Sequence, residues 1–532
     1  NKKIVWFGNE CVRRCNVDLK DIPLLDQFLL LKCGSKALTG VLNQIVERGV
    51  NLDGKHYLFY TSTTGQMKET EITLVEEEYW KENEYALMCG LTEERINSKG
   101  GINMGKYFAA KALNLSNSIK YDSGISIDEV IIVPDFKTFV SGMVNYLDVN
   151  TLDIQEKKME IEIEHMDGAG IFIPGTFPCS CQIRGGWLKG AVFPFDFHKF
   201  IEKYRDKVSA ANMIDAWGNP VTVEEFLNAK MILTDSQLKM RKYYDSMQEY
   251  RKCFKKAKLS ITVNNCAHQA KSEVKVAYQP FQTIPRDNLT DETIKKLADK
   301  TVRYIEDAKK NPKAALQLMG IEIDSEDMED KMKDVEMNVL HAAILKYPQL
   351  LNDIHVQKIM KSVLLSERRK AQGCKLVLDG FWSYICPDLY AFCQWLFLGQ
   401  DVPEGLVPNG YIYNHYYNDK EIEETCCLRY PHLSDCEHGI RKVLQSKECE
   451  EWFNGTDTIV SSHDLISEVL QADWDGDHIC LVHDKAFMDV LERDKYPLFY
   501  DMTKAESAQI TNNAVMNCLI SSFQNENIGF VS

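Results

Sequence analysis

The periodicity of hydrophobic and polar positions changes several times along this chain, and each change predicts a different kind of secondary-structure element. The segment LLDQFLLLKCGSKALTGVLNQIVERG, at residues 24–49, has helical spacing and stops at a glycine. The later runs KHYLFYTSTTGQ and ETEITLVEEEYW indicate two strands around a polar turn. Residues 1–120 are therefore predicted to form a mixed α/β domain.

Short β runs dominate residues 121–225. The runs IDEVIIVPDF, MEIEIEH, GIFIPG and GAVFPFDF are separated by Gly and Pro, which is typical of a compact β-barrel. A second group of β runs, with VLDGFWSYI, GLVPNGYIYNHYY, ETCCLRYPHL and HICLVHD, lies between residues 375 and 482. We therefore predict two β units in one chain.

Helical spacing connects the two β units. Residues 226–259 have this spacing, and residues 290–370 have it strongly, with a start signal at Thr290 and Asp291 and a break at Pro348. The tail from residue 486 is also predicted to be helical. The chain is thus predicted to be an α+β multidomain protein in five parts: 1–120, 121–225, 226–370, 371–485 and 486–532.

Composition narrows the class of protein. Of the 532 residues, 45% are hydrophobic and 26% are charged, which is ordinary for a soluble globular protein. The sequence has no uninterrupted apolar run of about 18 residues, so we expect no membrane span. The chain lacks an initiator Met, and we expect it to be a piece of a longer product. Seventeen cysteines in no disulfide-scaffold spacing indicate a reducing cytoplasm and buried thiols, with a zinc site as the alternative.

The net charge of −16 argues against a protein that binds nucleic acid over its whole surface, but it permits one basic channel on an acidic protein. The run KMRKYYDSMQEYRKCFKKAK, at residues 239–258, places basic residues among aromatic ones. Such a segment suits phosphate contact and base stacking. The alternative is a solvated basic helix face with its aromatics in the core.

The sharpest local signal is the loop in LISEVLQADWDGDHICLVHD. Asp473, Asp475 and Asp477 alternate in an extended segment and so point the same way. Carboxylates crowded on one side repel each other unless a cation lies among them, and hard oxygen ligands suit Mg²⁺, with Mn²⁺ as a substitute. Gly476 lets the loop fold tightly.

Two other interpretations of this loop are weaker. An EF-hand needs Gly at its sixth position and Glu at its twelfth, but counting from Asp473 those positions hold His478 and Asp484. A plain acidic turn stays open as an alternative. His478 could be a general acid, although a histidine entering an apolar strand is more often packed or hydrogen-bonded.

The loop ADWDGD resembles the D-x-D-G-D signature of the two-barrel RNA polymerase superfamily, which includes multisubunit enzymes, RNA-silencing RNA-dependent polymerases and single-chain phage enzymes of the YonO-like and crAss-like types. The resemblance implies two double-psi β-barrels, at 121–225 and 371–485, joined by the helical connector. It also implies that Asp473, Asp475 and Asp477 hold the catalytic Mg²⁺.

Further short segments of the sequence match the superfamily in the expected order. LRYPHL is similar to the R-x-P element near the sugar of the incoming nucleotide, and MDGAGIF, with Asp167 and Gly168, is similar to the D-G strand of the first barrel. SCQIRGGWLKG is similar to Q-x-R followed by K-G. The residues carried over for substrate binding are Arg429, Pro431, Arg184 and Gln182, and those carried over as catalytic lysines are Lys189 and Lys199.

The resemblance implies nucleotidyl transfer: a magnesium-dependent, template-directed RNA synthesis from NTPs. We favour a DNA-dependent enzyme of phage type, with DNA template, RNA product and NTPs as partners and a bacterial cytoplasm as its location. An RNA-dependent enzyme of the RNA-silencing type, with an RNA template, is the alternative, and a non-catalytic nucleic-acid-binding relic is a further one. The oligomeric state stays open, and each basic site residue has a surface ion pair as its alternative role.

Overall fold

The structure is a computed structural model, and it describes residues 3–6, 27–33, 39–116, 118–120, 124–267, 270–308, 311, 314, 339–493, 495–501 and 506–524. Within these residues the architecture is mixed α/β, as the hydrophobic pattern predicts. No helix in the described part of the chain is long and apolar enough to cross a membrane.

The N-terminal part is a five-stranded antiparallel sheet flanked by short helices. Strands β1 to β5 are Lys3–Trp6, Phe28–Lys32, Val50–Leu52, Lys55–Thr61 and Glu71–Glu76, in the spatial order β1-β2-β5-β4-β3. Helices α1 to α5 are Thr39–Arg48, Thr64–Lys68, Glu77–Leu87, Glu93–Ser98 and Met104–Ala112.

One predicted helix in this part is wrong at its beginning. Residues 28–32 of the expected helix form β2, which pairs with β1 on one side and β5 on the other. The run FLLLK is continuous in apolar residues, so its periodicity fits a buried strand as well as a helix. The rest of that prediction is confirmed at α1, and both predicted strands are confirmed at β4 and β5.

The next part contains an open sheet of seven strands. Strands β6 to β14 are Ile119–Lys120, Val130–Val133, Lys137–Leu147, Ile154–Glu164, Ala169–Phe172, Cys181–Gly185, Leu188–Pro194, Met231–Thr234 and Thr262–Cys266. The open sheet has the order β6-β14-β11-β12-β10-β13-β7, while β8 and β9 form a long hairpin beside it. Helices α6 to α8 are Phe197–Lys203, Val223–Asn228 and Met247–Lys256.

The helix predicted over residues 226–259 is wrong near its beginning. Strand β13 lies there, between β10 and β7, and all four of its residues are buried. A run as short as MILT has too few positions for its periodicity to distinguish a buried strand from a helix. Strands β13 and β14 also extend the open sheet beyond residue 225, the predicted end of the first β unit.

The C-terminal half contains a closed barrel. Strands β15 to β22 are Glu273–Val276, Leu376–Pro387, Tyr411–Tyr413, Glu424–Leu428, Gly439–Val443, Thr458–Val460, His478–Val482 and Leu498–Phe499. Six of them close a ring in the order β16-β20-β17-β19-β18-β21, because β21 pairs again with β16. Strand β15 extends β16 outside this ring, and β22 pairs with β8.

Helices connect and flank the two sheets. Helices α9 to α17 are Gln279–Gln282, Asp291–Asp307, Val339–Lys346, Ile354–Gln372, Leu389–Leu398, Lys447–Trp452, Ile466–Leu470, Lys485–Met488 and Asn512–Gln524. The predicted start is confirmed, since Thr290 caps α10. The predicted break is confirmed at Pro348, between α11 and α12. Residues 315–338 lie outside the described part, and the tail contains β22 as well as its predicted helices.

One hydrophobic core joins the open sheet to the closed barrel. It contains Ile171 and Phe193 of the open sheet together with Phe381, Ile385 and Ile479 of the barrel, each no more than 3% exposed. This shared core fixes the two sheets against each other and determines which of their loops meet. The double-psi connectivity and the five-part division of the chain stay predictions.

Candidate active site

The acidic loop lies between helix α15 and strand β21. Helix α15 ends at Leu470 and is followed by Gln471, which takes the left-handed conformation and turns the chain toward the loop. Trp474 is 3% exposed and packs beside the ring of His165, with 5.9 Å between the ring centroids. The backbone amide of Asp473 donates to Oδ2 of Asp477 at 2.9 Å. Trp474 therefore anchors the loop, and the aspartates alternate with it.

The open sheet meets this loop at three points, although the sequence separates the two by almost 300 residues. Lys189 of β12 forms an ion pair with Asp475. The side-chain amide of Gln182, on the neighbouring strand β11, donates to the carbonyl oxygen of Gly476 at 3.0 Å. The third point is the turn that precedes β10, where Gly168 packs against Asp475. The segments that carry the family resemblance therefore converge in space.

Two glycines allow this close approach. Gly168 has a φ of +82°, and a Cβ built on it would lie 2.5 Å from Cβ of Asp475. Gly476 has a φ of +109°, and a Cβ there would lie 2.3 Å from Nε2 of Gln182. Real side chains do not tolerate contacts this short, and L-residues rarely adopt these φ values. Glycine at both positions lets the open sheet touch the loop.

Arg429 reaches the loop from within the closed barrel. Strands β18 and β21 pair with Leu428 opposite Cys480, which places the residue after β18 beside the start of β21. Nε of Arg429 lies 2.8 Å from Oδ2 of Asp477. Pro431 is exposed on the segment that leaves β18. Of this predicted pair, the structure thus brings Arg429 into contact with the aspartates.

Arg184 is buried close to the site but does not form an ion pair in the described residues. It is 7% exposed, its Nη1 donates to the carbonyl oxygen of Ile183 at 2.7 Å, and its Nε has no hydrogen-bond partner there. Burial lowers its pKa, while the charges of Asp475 and Tyr384 act in the opposite direction. A guanidinium group in this state can accept an anionic partner.

The structure does not bring Lys199 together with the three aspartates. This residue lies on α6, where its ammonium group is 2.8 Å from Glu451 and 4.6 Å from the centroid of the Trp452 ring. Such contacts match the alternative role of a surface ion pair.

Lys239 lies near the site and was missed as a candidate for it. Although it is exposed as a residue, desolvation of its ammonium group and the charge of Lys189 lower its pKa, and Asp167 and Asp475 act in the opposite direction. In the sequence it follows the short apolar run MILT by five positions. Recognising that run as a strand would have separated Lys239 from the basic segment behind it.

The rest of that basic segment is not a stacking surface. Its four aromatic residues are between 0% and 3% exposed and belong to the hydrophobic core: Tyr243, Tyr244, Tyr250 and Phe254. Arg241 is paired with Asp235, and Lys255 is paired with Asp128. The interpretation as a base-stacking segment is therefore wrong, and the alternative of a basic face over buried aromatics is confirmed.

The electrostatics of the loop favour a cation. Desolvation raises the pKa of Asp473, and the charges of Asp477, Asp475 and Asp167 raise it further, against the opposing effect of Arg429. A divalent ion would relieve this repulsion, and carboxylate oxygens are ligands that Mg²⁺ accepts. The donor chemistry therefore fits the ion.

The carboxylates are nevertheless not gathered into a finished metal cage. Among the described residues, no group of three His, Cys, Asp or Glu side chains lies close enough to hold a metal ion. Lys189 neutralises Asp475, and Arg429 neutralises Asp477. His478, next to the loop, packs against Tyr384 with 4.1 Å between the centroids of the two tilted rings, as expected for a packed histidine.

Comparison with known proteins agrees with this geometry. The model of the family described as RNA dependent RNA polymerase matches residues 31–532. The DNA-directed RNA polymerase YonO of Bacillus phage SPbeta is 34% identical over 484 residues, which are 90% of this chain and 55% of that protein. The solved structure of the RNA dependent RNA polymerase QDE-1 from Thielavia terrestris matches with a TM-score of 0.52 and 11% identity, over 92% of this chain and 53% of that one. The chain thus spans about half the length of these two proteins.

Proposed function

Since the chain belongs to the RNA dependent RNA polymerase family, we propose that it catalyses template-directed synthesis of RNA from nucleoside triphosphates. The predicted relationship to two-barrel RNA polymerases is confirmed. The observation that carries the proposal is the contact of Lys189 and Gly168, from the open sheet, with Asp475, from the barrel loop. This contact brings a lysine of the open sheet to the loop that carries the three aspartates.

Asp473, Asp475 and Asp477 would hold Mg²⁺, or Mn²⁺ in its place. When bound, the metal would lower the pKa of the attacking 3′-hydroxyl and neutralise charge on the leaving pyrophosphate. Asp475 and Asp477 would hold the ion next to the cations that they already contact, Lys189 and Arg429 respectively.

Two lysines lie beside the acidic loop. Lys189 would supply a positive charge to the phosphates or the 3′ end, and Lys239 would add a second charge in the role that was predicted for Lys199. The planar forks of Arg429 and Arg184 suit sugar or phosphate oxygens. Gln182 holds the loop backbone at Gly476.

We propose DNA as the template, with RNA product and NTPs as the other partners. In support, the relative with 34% identity is described as DNA-directed and comes from a phage. An RNA template is the second candidate, because the matching family is described as RNA-dependent. We further propose that this DNA-dependent enzyme acts in the cytoplasm of a bacterial host.

The test is incorporation of labelled NTPs with Mg²⁺ on single-stranded DNA, primed DNA and RNA templates. Asp475→Asn removes one metal ligand without changing the side-chain shape, so we expect it to abolish product. Asp299→Asn removes an exposed carboxylate from the surface pair with Arg303 and should retain wild-type activity.

Product on DNA that is lost only in Asp475→Asn supports the proposal. Product on RNA templates alone would move the enzyme to the second candidate. Wild-type protein without product on any template would contradict polymerase activity and favour a binding relic.

A further inference from the structure

The turn that touches Asp475 is held by a second polar turn, residues 234–237. Oγ1 of Thr234 lies 2.9 Å from the carbonyl oxygens of both Met166 and Ala169 and shares its one proton between them. Nε2 of Gln237 donates to the carbonyl oxygen of Ala191 at 2.9 Å and to that of Gly168 at 3.3 Å. The 234–237 turn therefore fixes the backbone on both sides of Gly168.

The same turn also controls the strand that carries Lys189. The amide of Ala191 donates to the carbonyl oxygen of Gly168 at 2.9 Å. A Cβ built on Gly190 would lie 2.3 Å from that carbonyl oxygen and 2.5 Å from Nε2 of Gln237. Any displacement of the Gly168 turn would therefore be transmitted to the backbone next to Lys189.

Asp135 determines how the 234–237 turn holds Gly168. Oδ1 of Asp135 accepts from Oγ of Ser236 at 2.6 Å and from the Ser236 amide at 3.3 Å. The amide of Gly168 donates to the same Oγ at 2.7 Å. A serine hydroxyl has one proton, and an ionised carboxylate can only accept. The carboxylate of Asp135 therefore accepts the hydrogen bond of the Ser236 hydroxyl and leaves the lone pairs of that hydroxyl for the Gly168 amide.

We propose that Asp135 is a positioning residue for nucleotidyl transfer, which acts through Ser236 and Gly168 on the spacing between the acidic loop and Lys189. This inference rests on the proposed function. It differs from a purely structural role in one respect: weakening the chain of contacts should change the alignment of reacting groups before it changes the stability of the fold.

The test uses the full chain with Asp135→Ala and Ser236→Ala. Asp128→Ala is the matched control, because Asp128 precedes the same strand β7 but is exposed and paired with Lys255. Ser236→Thr keeps the hydroxyl and serves as the rescue variant. We expect the first two variants to lower kcat about 10- to 100-fold with KM for NTP changed by no more than about twofold, since small misplacements of reacting groups have effects of this size.

The two residues should also act through one path. In that case the double variant Asp135→Ala/Ser236→Ala has the kcat of the Ser236→Ala variant rather than the product of the two effects. We expect Ser236→Thr to recover kcat to within about threefold of wild type, because it retains the acceptor for Gly168. Wild-type kcat in both folded alanine variants, or independent effects in the double variant, would overturn the proposal.

A second readout does not depend on activity. Hydrogen–deuterium exchange of residues 471–477 should become about tenfold faster in the two alanine variants and stay unchanged in Asp128→Ala, because a lost hydrogen bond changes local opening by about that factor. Unchanged exchange in the loop would overturn the inference whatever the activity. If the wild-type protein makes no RNA but exchange is still faster in the two alanine variants, the proposed function is overturned and the positioning of the loop stays supported.

Discussion

Replacing Gly168 by alanine should test how turnover depends on the close contact between the two sheets, independently of every other property of the turn. The new Cβ would lie 2.5 Å from Cβ of Asp475 and 3.0 Å from its Cα. Carbon atoms pack at about 3.5 to 4.0 Å, so the loop and the turn must move apart by about 1 Å. A displacement of this size can lower turnover about 100-fold.

Backbone strain alone would give a different result, and the chain contains a glycine that isolates it. Gly175 has a φ of +93°, compared with +82° for Gly168, but a Cβ there meets no atom within 4 Å. Alanine at either position should lower the free energy of unfolding by about 1 to 2 kcal/mol, because both force an L-residue into a left-handed backbone. Only the Gly168→Ala variant adds the collision with Asp475.

The assay compares both variants in two measurements: urea unfolding and the rate of NTP incorporation. We expect both variants to lose stability, Gly168→Ala by the larger amount because of the collision, and a large loss of kcat for Gly168→Ala alone. A folded Gly168→Ala variant with wild-type turnover would refute the reasoning, because the loop would then not depend on this contact. Equal losses of turnover in the two variants would refute it as well, since backbone strain would explain both.

Two further predictions follow from charged groups. Lys239→Met should lower kcat at least about tenfold, while Lys199→Met should leave it within about twofold. The reason is that, of these two lysines, only Lys239 shares the surroundings of Lys189 and Asp475. The reverse ranking of the two variants in single-turnover assays would contradict this prediction. Burial raises the pKa of Asp457 to about 7, well above its unfolded value, so its stabilising contribution is present below about pH 4 and is lost as the pH rises through 7. Asp457→Asn should therefore flatten the fall of Tm between pH 5 and 8, and parallel curves would count against it.

The acidic loop was predictable because its signal is local. Three aspartates at alternate positions around Trp474 and Gly476 define both the side that holds carboxylates and the side that is buried. The convergence of Gln182 and Lys189 on that loop followed only from the family resemblance. No pattern in the sequence shows that two segments almost 300 residues apart share a hydrophobic core.

Lys199 and Lys239 show why the remaining site residues could not be assigned. Lys199 was carried over because HKF resembles a segment with the second lysine of the barrel, but helix α6 begins between Lys189 and Lys199 and directs Lys199 to Glu451. Lys239 was hidden because the strand Met231–Thr234 is too short to interrupt an apparent helical pattern. The position of each lysine depends on where one short element begins, which periodicity does not determine.

The separation of the two halves of the site has a consequence for the ribosome-bound chain. Lys189 and Asp475 are 286 residues apart, so one half of the centre exists long before the other is translated. At ordinary rates of elongation this interval is roughly 15 to 60 s. During this time the nascent chain exposes Lys189 without its carboxylate partners and the apolar face that the barrel later covers. Chaperone occupancy of that face should therefore peak before Asp475 emerges, and the contact between Lys189 and Asp475 can form only after the chaperone is released.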